Sequence, residues 1–404
     1  MKYIGLKYLV LALTVALVSA CGNQSRKSAI PDAQLQAATI SGMDDIRYVP
    51  STKAGVHSYL QEIKATVPKR PQDPSRQTNL LALSGGGDNG AFGAGLLVGW
   101  SKRGDRPVFD QVTGISTGAL IAPFAFLGTD YDQTLQMLFT QVSPDDIYRE
   151  RGKLGVIFND ALADATPLKN LIDKTVDTEM LKRIAAEYQQ HGRLLMIGTT
   201  NIDSGSLVLW NMGRIAAIGT PESAALFRNV MLASAAVPGA FPPVLFDAEV
   251  NGHEYHELHV DGGLAAQVYL YPAAVSKVAI ESGIIKSRKR EAYIIRNARL
   301  SIGWEETERN GLGVLNRSYK KIVQSQGLGN LYQIYEIARR DKVGFNLAYI
   351  GNDFEAAHPA EFDRTYMNAL FQYGFEKSLK GYPWQHMPPG LENSSEEDLK
   401  LQSK

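Results

Sequence analysis

The sequence predicts an α/β fold with a mostly parallel central sheet and flanking helices, because two strand–loop–helix units follow each other near residue 100. Residues 80–84 form an apolar run typical of a buried strand, and the small residues at 91–100 predict a closely packed helix. A second strand is predicted at 109–113 and a second apolar helix at 119–127. Each unit has a glycine-rich loop between its strand and its helix, and chemistry is expected in these loops.

The second loop has the pattern Gly-x-Ser-x-Gly, formed by Gly114, Ser116 and Gly118. A serine hydroxyl is a poor nucleophile unless it is exposed, oriented and placed beside a base. A sharp strand-to-helix turn provides that placement, and it brings neighbouring backbone so close that only glycine fits two residues on either side. The pattern therefore indicates that Ser116 is a candidate nucleophile.

The first loop contains Gly85, Gly86 and Gly87 in succession, with Gly90 three residues later. Consecutive glycines cannot pack a core, but their N–H groups at a helix N-terminus can hold an anion or an oxyanion. The spacing also loosely matches a dinucleotide-binding turn, although Asp88 would place a carboxylate against the pyrophosphate. The neighbouring serine loop favours acyl transfer over nucleotide binding.

Two later stretches add to this pattern. Residues 233–238 are Ala-Ser-Ala-Ala-Val-Pro, and Asp261 with Gly262 and Gly263 directly follows a hairpin predicted at 244–260. A carboxylate at a strand terminus, held by a glycine turn, is well placed to face a cleft. Asp261 is therefore the candidate base.

With these four motifs in this order, the chain resembles the patatin-like phospholipases across residues 80–263. The resemblance implies a three-layer patatin-like fold with a C-terminal helical region, and a serine lipid acyl hydrolase of the phospholipase A or lysophospholipase type. That family often has Arg or Lys at the fourth or fifth position of the glycine loop, where this chain has Asp88 and Asn89. The implied site consists of the nucleophile Ser116, the base Asp261, the oxyanion-hole glycines Gly85, Gly86, Gly87 and Gly90, the elbow glycines Gly114 and Gly118, and the turn glycines Gly262 and Gly263.

In the implied mechanism, Asp261 takes the proton of Ser116 directly, and backbone N–H groups of the glycine loop stabilise the oxyanion. No metal and no organic cofactor is implied, and the substrate is a membrane lipid or another acyl ester. Two alternatives stay open. A Ser-Asp-His esterase would need a histidine after the acid, and His358 and His386 follow Asp261. A non-catalytic envelope lipoprotein that binds lipid is the other.

Other polar residues also invite a functional interpretation. Asp203 is a rival carboxylate, but it lies in an Asp-Ser-Gly sequence typical of a structural turn. His253, His256 and His259 suggest a zinc site. In a strand His256 points to the face opposite the other two, which disfavours metal binding.

The N-terminus has the pattern of a bacterial lipoprotein signal. Lys2 and Lys7 precede an apolar run at 8–18, and small residues lead to Cys21, the single cysteine in the chain. Residues 1–20 are therefore predicted to be a signal peptide, with Cys21 lipidated and holding the protein on a membrane of the cell envelope. Ordinary signal cleavage is the alternative. By resemblance to lipoprotein sorting rules, Gly22 rather than Asp after the lipidated cysteine favours an outer membrane if the cell has one. The formal net charge is zero, which gives no electrostatic reason to expect nucleic-acid binding.

The remaining chain divides by composition. Residues 21–76 are polar and proline-containing, and predict a tether or N-terminal extension with one helix at 56–66, free to stand off the membrane or to pack back. Residues 77–300 are expected to form the catalytic domain and residues 301–391 a helical region packed on it. The basic run at 286–290 predicts a solvated turn, with contact to anionic headgroups as the alternative, and residues 392–404 are a polar tail.

Overall fold

The computed structural model describes residues 26–73, 75–150, 161–285, 288–301, 303, 306–307 and 309–391. Its strands are β1 (Thr39–Ile40), β2 (Arg47–Tyr48), β3 (Thr78–Leu83), β4 (Gln111–Ile115), β5 (Arg149–Glu150), β6 (Ala163–Asp164), β7 (Leu194–Asn201), β8 (Ser206–Asn211), β9 (Val244–Val250), β10 (His253–Asp261), β11 (Arg290–Arg296) and β12 (Gly344–Tyr349). Its α-helices are α1 (Lys53–Thr66), α2 (Gly90–Arg103), α3 (Thr117–Leu127), α4 (Asp132–Thr140), α5 (Pro144–Ile147), α6 (Thr166–Thr175), α7 (Thr178–His191), α8 (Met212–Ile218), α9 (Pro221–Ser234), α10 (Ala273–Glu281), α11 (Gly311–Asp341) and α12 (Arg364–Leu379). None of these helices is long and apolar enough to cross a membrane.

The main sheet has the strand order β1-β9-β10-β7-β4-β3-β11-β12, with β8 also paired to β7 and β2 paired to β8. Five neighbouring strands, β7, β4, β3, β11 and β12, run parallel. The other strands of the main sheet add antiparallel pairs on the β7 side, including the predicted β9–β10 hairpin, whereas β5 and β6 form a separate two-stranded sheet. The predicted α/β fold with parallel strands at its centre is confirmed.

Helices cover both faces of the sheet. Leu81 and Leu83 of β3 pack into one core with α2, whereas the alternate residues Leu80 and Ala82 pack into a second core with α11. This alternation is the period of two expected for a strand that is buried on both sides. The three-layer arrangement implied by the sequence is confirmed.

Small residues let α2 and α12 approach until their backbones touch. A Cβ on Gly95 would lie 2.0 Å from the Phe371 carbonyl oxygen, and one on Gly99 would lie 2.3 Å from that of Phe375. The closely packed helix predicted at 91–100 thus contacts the C-terminal region. That region is not only helical, because β12 extends the central sheet and was not predicted.

The described part of the predicted tether is folded onto the domain. β1 pairs with β9 and β2 pairs with β8, while Leu35, Ile40 and Val49 are buried in the core. The predicted helix at 56–66 lies within α1, which Thr52 caps by accepting a hydrogen bond from the Gly55 N–H. Of the two alternatives that the sequence left open, residues 26–73 adopt the packed one.

Residues 166–191 form two helices. The break between α6 and α7 lies at Val176 and Asp177. Asp177 accepts a hydrogen bond from the Met180 N–H at 2.8 Å and caps α7. This N-cap begins the second helix.

A buried ion pair fixes the N-terminal segment to the sheet. Arg47 of β2 donates to Glu257 of β10 at 2.7 Å and to the Leu35 carbonyl oxygen at 2.8 Å, and both charged side chains are almost fully buried. His259 lies 2.9 Å from the same carboxylate. Burial would raise the pKa of Glu257, but the Arg47 charge and the His259 hydrogen bond hold that pKa at about 2. Glu257 therefore stays ionised in its buried position because Arg47 and His259 contact it.

We predict that Arg47→Met lowers the free energy of unfolding by about 3–5 kcal/mol, because it leaves Glu257 buried without a counter-charge. Denaturant titration measures the loss. Lys27→Ala, which removes an exposed pair with Glu254, serves as the control and should have a much smaller effect, because solvent screens exposed pairs. Equal losses in the two variants would show that residues 26–73 are peripheral to the fold.

Candidate active site

Ser116 lies at the turn between β4 and α3, with φ 55° and ψ −127°. A non-glycine residue with positive φ is strained, and such strain is typical of a serine held at a strand-to-helix elbow. The flanking positions must be glycine, because the neighbouring backbone leaves no room for a Cβ. A Cβ on Gly114 would lie 2.4 Å from the Gly118 carbonyl oxygen, and one on Gly118 would lie 2.4 Å from that of Leu83.

The side chain of Asp261 meets that of Ser116 at the end of β10. The Ser116 hydroxyl donates to Asp261 Oδ2 at 2.6 Å, and the Gly263 N–H donates to Asp261 Oδ1 at 2.6 Å. A Cβ on Gly262 would lie 2.3 Å from the Gly198 carbonyl oxygen, so the turn after Asp261 packs directly on β7. The structure therefore brings together the serine and the carboxylate that the sequence singled out.

Burial changes the acidity of this carboxyl group. Asp261 is 5% exposed, and burial raises its pKa from 3.8 to about 6, against the hydrogen bonds from Ser116 and Gly263, which lower it. At neutral pH the group is still mostly ionised. It is a stronger base than an ordinary aspartate.

The predicted oxyanion-hole glycines differ in whether their N–H groups already donate a hydrogen bond within the protein. The Gly85 N–H donates to the Gln267 carbonyl oxygen at 3.0 Å, and the Gly90 N–H donates back to Gly87 and Asp88. These two are therefore not available as oxyanion donors. Among the described residues, the N–H groups of Gly86 and Gly87 donate no hydrogen bond, and neither does that of Thr117 at the start of α3.

The glycines of this loop also have separate steric roles. A Cβ on Gly86 would lie 2.1 Å from the Asn297 carbonyl oxygen, and one on Gly90 would lie 2.3 Å from Thr117 Oγ1. Gly87 has φ 58°, and a Cβ there would meet nothing within 4 Å. Gly90 is therefore needed for close packing of α2 on α3, whereas Gly87 is needed for its backbone conformation.

Ser234 explains the Ala-Ser-x-Ala-x-Pro stretch. It lies at the end of α9, where its hydroxyl accepts from the Ser116 N–H at 3.0 Å and donates to the Gly198 carbonyl oxygen at 2.7 Å. The elbow backbone is thereby tied to β7. The motif was recognised in the sequence, but this role required the structure.

Two residues outside the motifs hold the glycine loop in place. Asn297, just after β11, donates to the Ser84 carbonyl oxygen at 2.9 Å and accepts from the Gly93 N–H at 3.1 Å. Gln267 accepts from Gly85 and donates to the Gly263 carbonyl oxygen at 2.7 Å. Sequence analysis missed both, because each contacts the loop from a distant part of the chain.

Asp88 connects the glycine loop to the C-terminal region. It is 1% exposed, and Oδ2 contacts His358 Nε2 at 2.6 Å and the Phe362 N–H at 2.9 Å. Phe362 has φ 59°, an unfavourable conformation for a bulky residue. The carboxylate thus occupies the loop position where the family resemblance led us to look for a cation, and it binds a segment that packs over the site.

Neither candidate histidine of the triad alternative contacts the serine. His358 is engaged with Asp88, and His386 Nδ1 lies 3.1 Å from the Phe345 carbonyl oxygen. Among the described residues, no histidine forms a hydrogen bond with Ser116 or Asp261. The geometry is that of a Ser–Asp pair rather than a triad.

The other candidates have structural partners. Asp203 forms an ion pair with Arg26 on the turn after β7, as expected for a structural turn residue. His256 lies 3.1 Å from Asp247, whereas His259 contacts Glu257. Ligand-type atoms of Asp88, His358 and Glu361 lie within 4.8 Å of one another, the one such group found in the described part of the chain. Within it, Asp88 Oδ2 is engaged by His358 Nε2 and by the Phe362 N–H.

An apolar cavity lies beside the nucleophile. It is about 60 Å³ in volume and is lined by Gly87 and Thr117 on the site side and by Leu120, Phe139 and Phe362, among others. This is smaller than the roughly 300–1,000 Å³ of most ligand pockets. A long acyl chain would therefore need the wall that includes Phe362 to move.

Cys21 and the predicted signal peptide lie outside the described residues.

Comparison with known proteins identifies the family. No match was found among curated proteins. The structure is similar to the crystal structure of VipD from Legionella pneumophila, with a TM-score of 0.32 and 13% sequence identity, over 83% of this chain and 70% of that chain. Residues 81–274 match the family described as Patatin-like phospholipase. Residues 81–274 are therefore a patatin-like phospholipase domain, which indicates a lipid acyl hydrolase.

Proposed function

We propose that this protein is a serine lipid acyl hydrolase that uses Ser116 and Asp261 as a catalytic dyad. The observation that carries the proposal is the 2.6 Å hydrogen bond from the Ser116 hydroxyl to Asp261 Oδ2. It occurs at a strained elbow within the patatin-like domain. The substrate class is an acyl ester of a lipid, as in a phospholipase A or a lysophospholipase.

In the proposed reaction, Ser116 Oγ forms a bond to the ester carbonyl carbon as its proton passes to Asp261 Oδ2. The tetrahedral intermediate collapses by breaking the bond to the leaving alcohol, which takes that proton. Water then attacks the acyl-serine, again giving its proton to Asp261, and the serine leaves with that proton restored. Asp261 acts without an intervening histidine because its raised pKa makes it an adequate base.

The N–H groups of Gly86, Gly87 and Thr117 are the proposed oxyanion donors, since they have no other hydrogen-bond partner in the described structure. They lie at the N-terminal ends of α2 and α3, where the helix dipoles also favour negative charge. One preorganised donor is typically worth about 3–4 kcal/mol of transition-state stabilisation. The acyl chain would lie in the apolar cavity beside Thr117.

We also propose that the protein is a lipid-anchored envelope protein. Cys21 follows an apolar run and small residues, which supports lipidation at its thiol. Two or more acyl chains would hold the protein stably on a membrane, because each buried methylene contributes about 0.8 kcal/mol. An outer membrane is favoured by Gly22, where the cell has one.

We expect Ser116→Ala and Asp261→Asn each to lower kcat for ester hydrolysis by about four orders of magnitude or more, and the double variant to be little worse, because the two groups act in one step. In the wild type, kcat/KM should fall as the pH drops below about 6, where Asp261 becomes protonated. Initial rates on a dispersed ester measure both effects. Asp203→Asn and His386→Ala are the controls and should remain active. Loss of activity in His386→Ala with an active Asp261→Asn would replace the dyad by a triad.

Asp261→Asn also has an expected effect on stability. Because the folded-state pKa of Asp261 is raised, its stabilising contribution is full below pH 3.8 and is lost as the pH rises through about 6. At pH 7 the ionised group therefore costs about 3 kcal/mol. Asp261→Asn should melt above the wild type at pH 7, and this gain should shrink at pH 4. If Asp261→Asn is inactive and also melts below the wild type, its loss of activity is explained by unfolding and not by the loss of the base.

Gly87→Ala distinguishes a role of Gly87 as an oxyanion donor from a purely structural role in a tight turn. Its Cβ meets nothing within 4 Å, so the expected stability loss is only the cost of positive φ, about 1 kcal/mol. We expect kcat to fall about 100-fold with a small change in KM, because a shifted donor acts mainly on the transition state. Gly205→Ala, at φ 66° with equally open space, is the matched control and should keep its turnover. Equal kinetics in the two variants would exclude Gly87 as a donor.

Cys21→Ser tests the proposed anchor. We expect the variant to lose lipidation and to accumulate as precursor or as a form released from membranes, while the rate per molecule on a dispersed ester is unchanged. Mass spectrometry of the mature N-terminus and membrane fractionation measure the two effects. A free thiol on Cys21 in native material would contradict the anchor and leave the hydrolase proposal standing.

A further inference from the structure

A second cavity lies at the opposite end of the central strands from Ser116. It is about 300 Å³ in volume, and its walls include Thr78 at the start of β3, Gln111 at the start of β4 and Arg290 at the start of β11. Ser116 follows the other end of β4. Five or six residues of extended chain span roughly 15–20 Å, so this cavity is separate from the proposed active site.

The body of this cavity is apolar. Ile63 of α1, Val275 of α10, Leu80 of β3 and the loop residues Val67 and Ile284 line it. Pro68 and Gln72, which also line it, are exposed, so the cavity reaches the surface on that side. Such walls suit a hydrocarbon chain, and the volume lies at the lower end of the roughly 300–1,000 Å³ range of ligand pockets.

The polar part of the cavity is cationic. Arg70, Arg288 and Arg290 line it, whereas no aspartate or glutamate does. The sequence neighbours Arg76 and Lys289 are paired with carboxylates. Within the described ranges, none of the three cavity arginines has a carboxylate at salt-bridge distance.

These arginines are held in place by neutral acceptors instead. Arg70 Nε donates to the Gly192 carbonyl oxygen at 3.1 Å, Arg288 Nη1 donates to that of Pro71 at 2.8 Å, and Arg290 Nη2 donates to that of Asp341. The guanidinium groups are therefore positioned without a carboxylate at salt-bridge distance, while Asp110 and Asp73 act on Arg70 and Arg288 only from farther away.

Two of the guanidinium groups also contain unsatisfied atoms. Arg70 Nη2 and Arg290 Nε are buried and have no hydrogen-bond partner among the described residues. A buried donor left without a partner costs about 1–3 kcal/mol, and more for a charged group. Burial also lowers the pKa of Arg70 from its ordinary value. An anion in the cavity would offset these costs by supplying both an acceptor and the opposite charge.

We propose that this cavity binds a free fatty acid, with the carboxylate near Arg70, Arg288 and Arg290 and the chain between α1 and α10. Apolar walls together with arginines that lack a carboxylate partner suit a ligand that has one acyl chain and one negative charge. The cavity volume favours a single chain over a two-chain phospholipid. The proposal stands independently of the hydrolase activity, because no residue of the cavity belongs to the proposed catalytic site.

Binding of dodecanoate to the full-length chain tests the proposal, with Ser116 first blocked by a fluorophosphonate so that the active-site cavity is occupied. Calorimetry should show binding of dodecanoate and no comparable binding of dodecanol or inorganic phosphate. Arg288→Gln combined with Arg290→Gln should raise Kd about tenfold or more. Lys289→Gln, an exposed neighbour outside the cavity, should leave Kd unchanged.

A second variant covers the case in which the arginine substitutions unfold the protein. Val67→Trp fills the cavity from a half-buried position and should abolish dodecanoate binding with turnover of the unblocked enzyme retained. A photoreactive fatty acid should crosslink to residues 53–70 and 270–285. Crosslinks confined to residues 117–147, equal binding of dodecanol, or equal losses in Lys289→Gln and the arginine variant would each overturn the proposal.

Discussion

The loop after β3 and the elbow after β4 are packed closely against each other. A Cβ on Gly118 would lie 2.4 Å from the Leu83 carbonyl oxygen, and one on Gly85 would lie 3.1 Å from Ser116 Cβ. This close packing places the Ser116 side chain beside Gly85 of the glycine loop. The positive φ of Ser116 is the strain that accompanies it. The site geometry is therefore set mainly by main-chain packing, and the side chains of Ser234 and Asn297 hold that packing in register.

The same constraint explains which parts of the site could be predicted from the sequence. A backbone contact that excludes Cβ leaves glycines at fixed spacing around Ser116, and a glycine turn marks Asp261 at its strand end. No such sequence pattern marks Asn297, because its hydrogen-bond partner Gly93 is 204 residues away in the chain. The packing of the N-terminal segment was left open for another reason. β1 and β2 have two residues each, too few for a period to appear.

The C-terminal region contributes to the site through a charge that the family resemblance did not lead us to expect. Asp88 lies at the N-terminal end of α2, where the helix dipole favours a carboxylate. Its bonds to His358 and to the Phe362 N–H hold a strained segment whose ring lines the cavity beside the nucleophile. The loop that presents the proposed oxyanion donors therefore also positions the wall that an acyl chain would have to displace.

The surroundings of Asp261 also bear on its proposed role as the base. A nearby cation would lower the pKa of Asp261 and weaken it. In this structure burial raises that pKa, and only the neutral donors Ser116 and Gly263 oppose the rise. The fold thus carries an ionised, almost fully buried carboxylate at neutral pH, at a cost of about 3 kcal/mol. A domain with cores on both faces of its sheet can sustain that cost. The basicity of Asp261 is obtained at the expense of stability, which is the usual relation between a strained site and its scaffold.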